Sequence, residues 1–112
     1  MNIQIFSLKK NFDTQKAERY FKERKISYQL IDLAKYGLSK GEFESVKASV
    51  GLAELINTEC KEYTALNMQR LGVGKVAEEV LFKNPKLYKS PIVRNGKQAT
   101  VGYKPDVWKE WV

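Results

Sequence analysis

Apolar residues open the chain in a tight run, Ile3, Ile5 and Phe6, which gives way after Ser7-Leu8 to the polar Lys9-Lys10-Asn11. A short apolar run bounded by loop residues predicts a strand and its exit. From 13 to 25 the period changes. Ala17, Tyr20 and Phe21 fall three and four apart, on one helical face, leaving Lys16, Arg19, Lys22 and Glu23 for solvent. Asp13 is the N-cap this pattern favours, because its carboxylate can accept from the unpaired N–H groups of a first turn. After a connection of one or two residues, 27–33 is rich in strand formers. Strand, helix and strand together form a βαβ unit, whose strands run parallel through a right-handed crossover.

The middle of the chain keeps a helical period. Ser39 and Glu42 have capping-box spacing and precede Phe43, Val46 and Val50, predicting a helix over about 40–49. Gly51 punctuates; 52–56, 63–66 and 76–82 then show further helical spacing, up to the break at Asn84-Pro85. Two apolar runs, Pro91-Ile92-Val93 and Ala99-Thr100-Val101-Gly102, flank Asn95-Gly96, a hairpin signal. Pro105 and Asp106 open a last short helix carrying Val107, Trp108 and Trp111, with both tryptophans expected on its buried face.

A chain of 112 residues without a repeat or linker fits one α/β domain over 1–112, with a helical insertion at about 38–83. No apolar run reaches the roughly 18 residues of a membrane span, and the strand pattern begins almost at Met1, so no membrane and a cytoplasmic location are expected. The charge of +7 is concentrated: between Glu79 and Asp106 there is no acidic residue, while Lys83, Lys86, Lys89, Arg94, Lys97 and Lys104 all fall there. Such a run reads first as a solvated basic face and second as a surface for an acidic partner. Direct nucleic-acid binding is disfavoured, because the stretch has no helix-turn-helix pattern and only Phe82 and Tyr88 to stack on bases. Cys60 is the one cysteine and there is no histidine, so neither a disulfide within the chain nor a metal site is expected.

Three stretches together resemble the arsenate reductase and Spx family: the opening from Ile5 to Phe21, the segment Asn57-Thr58-Glu59-Cys60-Lys61-Glu62-Tyr63-Thr64-Ala65-Leu66, and Ser90-Pro91-Ile92-Val93 followed by Val101-Gly102-Tyr103 and Trp108. The resemblance implies a thioredoxin-like fold: βαβ, helical insertion, β-hairpin and C-terminal helix around a mixed four-stranded sheet. It also implies a cis Ser90–Pro91 bond facing the first loop. The family's first cysteine falls on Asn11, where a helix N-terminus would stabilise a thiolate, and the second cysteine of Spx-type members falls on Thr14. Family arginines that hold an oxyanion fall on Asn57, on Ser90, and on Tyr103 or Lys104 depending on hairpin length. None of these positions keeps the guanidinium fork.

Two functions of different class follow. One is a catalytically degenerate member with a protein-binding or regulatory role, its partner by resemblance being RNA polymerase. The other is an arsenate-reductase-like or glutaredoxin-like thiol oxidoreductase in which Cys60 works with an external thiol such as glutathione. The acidic neighbours Glu59 and Glu62 disfavour a thiolate at Cys60, for which a structural role in a helix-start segment is preferred. Lys9, Lys10, Lys89 and Arg94 are candidates for attracting an anion or a partner near the first helix and hairpin.

Overall fold

The computed structural model describes residues 2–8, 11–72 and 74–111. Strand β1 (Ile3–Ser7), helix α1 (Phe12–Glu23) and strand β2 (Tyr28–Asp32) form the expected βαβ unit. Helices α2 (Leu33–Tyr36), α3 (Lys40–Val50), α4 (Leu52–Leu55), α5 (Lys61–Ala65), α6 (Met68–Leu71) and α7 (Lys75–Lys83) follow, then a 3₁₀ turn at Pro85–Leu87. The hairpin β3 (Ile92–Asn95) and β4 (Gln98–Val101) leads to α8 (Pro105–Trp108) and a last 3₁₀ turn at Lys109–Trp111. The sheet order is β2-β1-β3-β4, with β1 parallel to β2 and antiparallel to β3, and β4 antiparallel to β3. The sheet is therefore mixed and four-stranded, as expected.

The alternation of β1 sorts the molecule into two layers, because successive side chains leave a strand on opposite faces. Ile3 and Ile5 pack with Val93, with Ala17, Tyr20 and Phe21 of α1, and with Trp108 of α8. The Trp108 ring lies 5.2 Å from Tyr20 and 5.1 Å from Phe21, and its indole N–H donates to Thr100 Oγ1 at 2.8 Å. Trp108 is thus buried as the sequence implied, while Trp111 is half-buried at the margin of this cluster. Phe6 and Ile92 point the other way, into a cluster with Leu33, Phe43, Leu55, Met68, Leu81 and Tyr88 from the helical insertion.

Several local boundaries differ from the sequence reading, each for a visible reason. Asp13 is not the N-cap of α1; Asn11 is, its Oδ1 accepting from Thr14 N at 2.7 Å. The helix stops at Glu23 rather than near Lys25, because Lys25 N–H turns back to Lys22 O and Ile26 N–H to Phe21 O, a Schellman ending. Leu33 is not in the strand. Asp32 Oδ1 accepts from Ala34 N and Lys35 N, starting α2 and driving Leu33 into the core. At the hairpin the turn residues are Gly96 and Lys97 rather than Asn95 and Gly96, since Asn95 pairs with Gln98 and only Gly96 takes a positive φ, +61°. Glycine at the first central position suits a type II′ turn, which follows the strand twist.

The insertion is tied to the sheet at two places. Asn57 N–H donates to Leu87 O and Lys89 N–H to Leu55 O, both at 2.8 Å, so 55–57 lies against the residues leading into the hairpin. On the far side Ser49 of α3 closes the outer edge of β4: its Oγ accepts from Ala99 N at 2.9 Å and lies 3.2 Å from Ala99 O. The outer edge of β2 has no such cover; among the described residues nothing bonds to its outward backbone. No helix among them is long and apolar enough to cross a membrane.

Two predictions follow from these elements. Lys25 holds φ +56° at the position where a Schellman ending favours glycine. Left-handed backbone costs an L-residue about 1–2 kcal/mol, while glycine gives back about 0.5–1 kcal/mol in unfolded-state freedom. Lys25→Gly should therefore stabilise the fold by about 0.5–1 kcal/mol in urea denaturation, whereas Lys25→Ala should not. The second concerns Tyr28, whose hydroxyl donates to Glu18 Oε1 at 2.9 Å. Burial, and then the Glu18 carboxylate, push its ionisation from 10.0 up to about 12. The folded chain thus keeps a proton that the unfolded chain releases. This contribution to stability is complete below pH 10 and lost between pH 10 and about 12. Thermal melts should fall through that window less steeply for Tyr28→Phe than for the parent.

Candidate functional site

β1 ends at Ser7, and the loop beyond it meets the start of α1 and the turn before β3. These three chain segments are held together by side chains that sequence patterning reads as ordinary loop residues. Ser7 Oγ lies 3.1 Å from Thr14 Oγ1 and 3.1 Å from Ser90 Oγ, and Ser90 Oγ accepts from Leu8 N at 3.2 Å. Thr14 is fully buried and Ser7 nearly so, hence their hydroxyls satisfy one another in the interior. Ser90–Pro91 is cis, as the resemblance implied.

Asn11 binds both sides of this junction. Its Oδ1 caps α1 through Thr14 N, and its Nδ2 donates to Ser90 O at 3.2 Å. The amide orientation is determined by these partners, since one is a donor and the other an acceptor. A cap of this kind takes up backbone N–H that would otherwise face an anion or a thiolate. At the position the resemblance matches to a cysteine, the side chain is thus a cross-link between α1 and the cis-proline turn. Thr14 sits in the first helical turn with its hydroxyl turned inward to Ser7.

Two clefts flank this junction and share Asn57 and Ser90 as a wall. The first, about 370 Å³, is lined by Leu8, Asn11, Ala34, Cys60, Lys86 and Tyr88 among others. The second, about 560 Å³, is lined by Asp13, Glu54, Glu59, Lys89, Tyr103 and Lys104 among others. Asn57 Oδ1 accepts from Glu59 N at 3.0 Å and Asn57 O accepts the Cys60 thiol at 3.2 Å, an Asx-type turn that sets up α5. Only the protonated thiol can donate that bond. Cys60 is half-buried at the N-cap of α5 and opens on the same cleft as Asn11 and Ser90, so it is not sequestered from the loop. Tyr88 is wholly buried in the back of this cleft. Its hydroxyl has no partner among the described residues, and burial raises its ionisation above the usual tyrosine range.

The basic residues disperse. Lys89 and Lys104 reach the second cleft and Lys86 the first, whereas Arg94 turns to Gln4, its NH1 donating to Oε1 at 2.6 Å, and lines neither. Tyr103 stands under the Lys16 ammonium, 5.5 Å from its ring centre, and packs edge-on to Trp108. Lys9 and Lys10 lie outside the described residues. Among the described residues no three metal-ligating side chains come together. Sequence reasoning missed Ser7 and Tyr88; the one available signal for Ser7 was a hydroxyl closing an otherwise apolar strand.

A βαβ unit joined through a cis-proline turn to a ββα unit is a thioredoxin-like fold. It overlays the glutaredoxin-like NrdH-redoxin of Escherichia coli with a TM-score of 0.50, at 12% identity over 100% of this chain and 96% of that one. The correspondence is much closer with an arsenate reductase from Vibrio cholerae, with a TM-score of 0.83, 22% identity, and 100% and 98% of the two chains covered. The ArsC family model matches residues 6–111, and the chain belongs to that family. A global transcriptional regulator, Spx 2 of Oceanobacillus iheyensis, is 31% identical over 97 residues, 83% of this chain and 71% of that protein.

Removing the Asn11 side chain should loosen the junction. Loss of an N-cap costs about 1 kcal/mol, and the severed link to Ser90 O adds up to about 1 kcal/mol. We expect Asn11→Ala to lose about 1–2 kcal/mol in urea denaturation and Asn11→Ser, which can cap but cannot reach as an amide donor, to recover about half.

Proposed function

We propose that this member of the ArsC family acts by binding a protein partner in a regulatory role rather than by thiol redox chemistry at the loop before α1. The observation that carries the reading is the pair of hydrogen bonds made by the Asn11 side chain, its Oδ1 accepting from Thr14 N and its Nδ2 donating to Ser90 O. Where a nucleophile would need free N–H groups and an open approach, the chain has a structural amide with both ends engaged. The residues matched to the oxyanion-holding positions add weight, because Asn57 and Ser90 are absorbed in local hydrogen bonds and neither is cationic. Similarity to a global transcriptional regulator makes RNA polymerase the first partner to test.

A second reading keeps an enzyme. Cys60 shares its cleft with Asn11 and Ser90, an arrangement that supports a thiol oxidoreductase acting with glutathione. The two readings separate cleanly in solution. Under the first, immobilised chain binds purified RNA polymerase saturably in interferometry, Cys60→Ser binds equally well, and arsenate is not reduced in the presence of glutathione. Reduction that disappears in Cys60→Ser, with no polymerase binding, establishes the second reading and ends the first.

A further inference from the structure

The two outer strands of the sheet are treated differently, and the difference points to a partner surface. The outward N–H and C=O of Ala99 on β4 are both met by Ser49 Oγ, and α3 lies along that strand. β2 is little protected as an edge: no lysine, proline or bulge interrupts Tyr28-Gln29-Leu30-Ile31-Asp32, its one charge, Asp32, stands at the last position, and Leu30 at its centre is 43% exposed. Beside it on the α1 face runs an open groove of about 570 Å³, lined by Glu18, Lys22, Lys25, Ile26, Tyr28 and Leu30. An added strand would complete the backbone ladder and lay every second side chain into that groove.

We propose that the strand is β2 of a second copy of this chain, added antiparallel about a twofold axis at Leu30. The charge pattern of the edge selects this occupant. Tyr28, Leu30 and Asp32 share the α1 face by alternation; Lys22 and Lys25 outnumber Glu18, which is engaged by the Tyr28 hydroxyl, at the groove end nearest Tyr28, and Asp32, the one acid of the strand, stands at the other end. Antiparallel pairing sets Leu30 on Leu30 and brings each Asp32 beside the other copy's Tyr28, within the reach of Lys25. The surface is then self-complementary, as an isologous contact requires. Each copy also carries a net charge of +7, so long-range repulsion opposes the encounter and added salt strengthens it. An acidic peptide from another protein has the opposite salt dependence.

Sedimentation of the full chain from about 10 μM to about 1 mM tests the proposal, since small edge contacts associate weakly. The expected result is a dimer that grows with concentration, grows again between about 0.05 and 0.5 M salt, and is lost in Leu30→Lys. Directly opposed residues of an antiparallel ladder lie about 4.5–5.5 Å apart at Cα, within disulfide range. Leu30→Cys in a Cys60→Ser background should therefore form a disulfide-linked dimer on mild oxidation, while Tyr36→Cys, more exposed to solvent than Leu30, should not. A monomer at every concentration, a dimer that Leu30→Lys leaves intact, or equal cross-linking from Tyr36→Cys overturns it.

Discussion

Strand β1 is the constraint on which the rest depends. It is the one strand paired on one side to a parallel neighbour and on the other to an antiparallel one, and it is apolar on both faces. Ile3 and Ile5 hold α1 and α8 to one face, and Phe6 holds the insertion to the other. Nothing about this requires a particular chemistry at its end. The strand need only deliver Ser7 to the level where α1 begins and the cis turn passes.

That separation of frame from chemistry means that the scaffold itself places no demand on the chemistry of the side chains at the loop before α1. The hydroxyls of Ser7, Thr14 and Ser90, together with the Asn11 amide, fill a junction that would otherwise leave polar backbone buried and unmet. Each group is small and neutral, and each finds a partner within the junction or the adjoining backbone. Such a network adds rigidity where a redox site needs a poised, incompletely satisfied thiolate.

What could be read in advance was what is local. The α3 capping box, Ser39 with Glu42, forms as spaced, because both partners lie within one turn. The buried face of α1 also follows from its period. Asp13 and Asn11 are both good caps for it by sequence, and Asn11 is favoured by a second bond, to Ser90 O, 79 residues away in sequence. The same holds for Asp32, a strand end by pattern that becomes the cap of α2 once Leu33 finds the core. Placement of Cys60 on the same cleft as Asn11 is beyond local reading, since it depends on the pairing of 55–57 with 87–89. The split of the basic segment among two clefts and Gln4 is likewise a tertiary outcome.

Ser49 has a wider effect than the closing of an edge. One hydroxyl serves as a surrogate backbone for Ala99, taking its N–H and lying against its C=O, so α3 is engaged in the sheet as a neighbouring strand would be. A helical insertion joined to its host only by apolar contact could detach as a separate unit. Here it shares hydrogen bonds with both the hairpin and the segment before it. Insertion and hairpin therefore belong to one cooperative opening unit, and the amide of Ala99 exchanges with solvent only when α3 leaves as well.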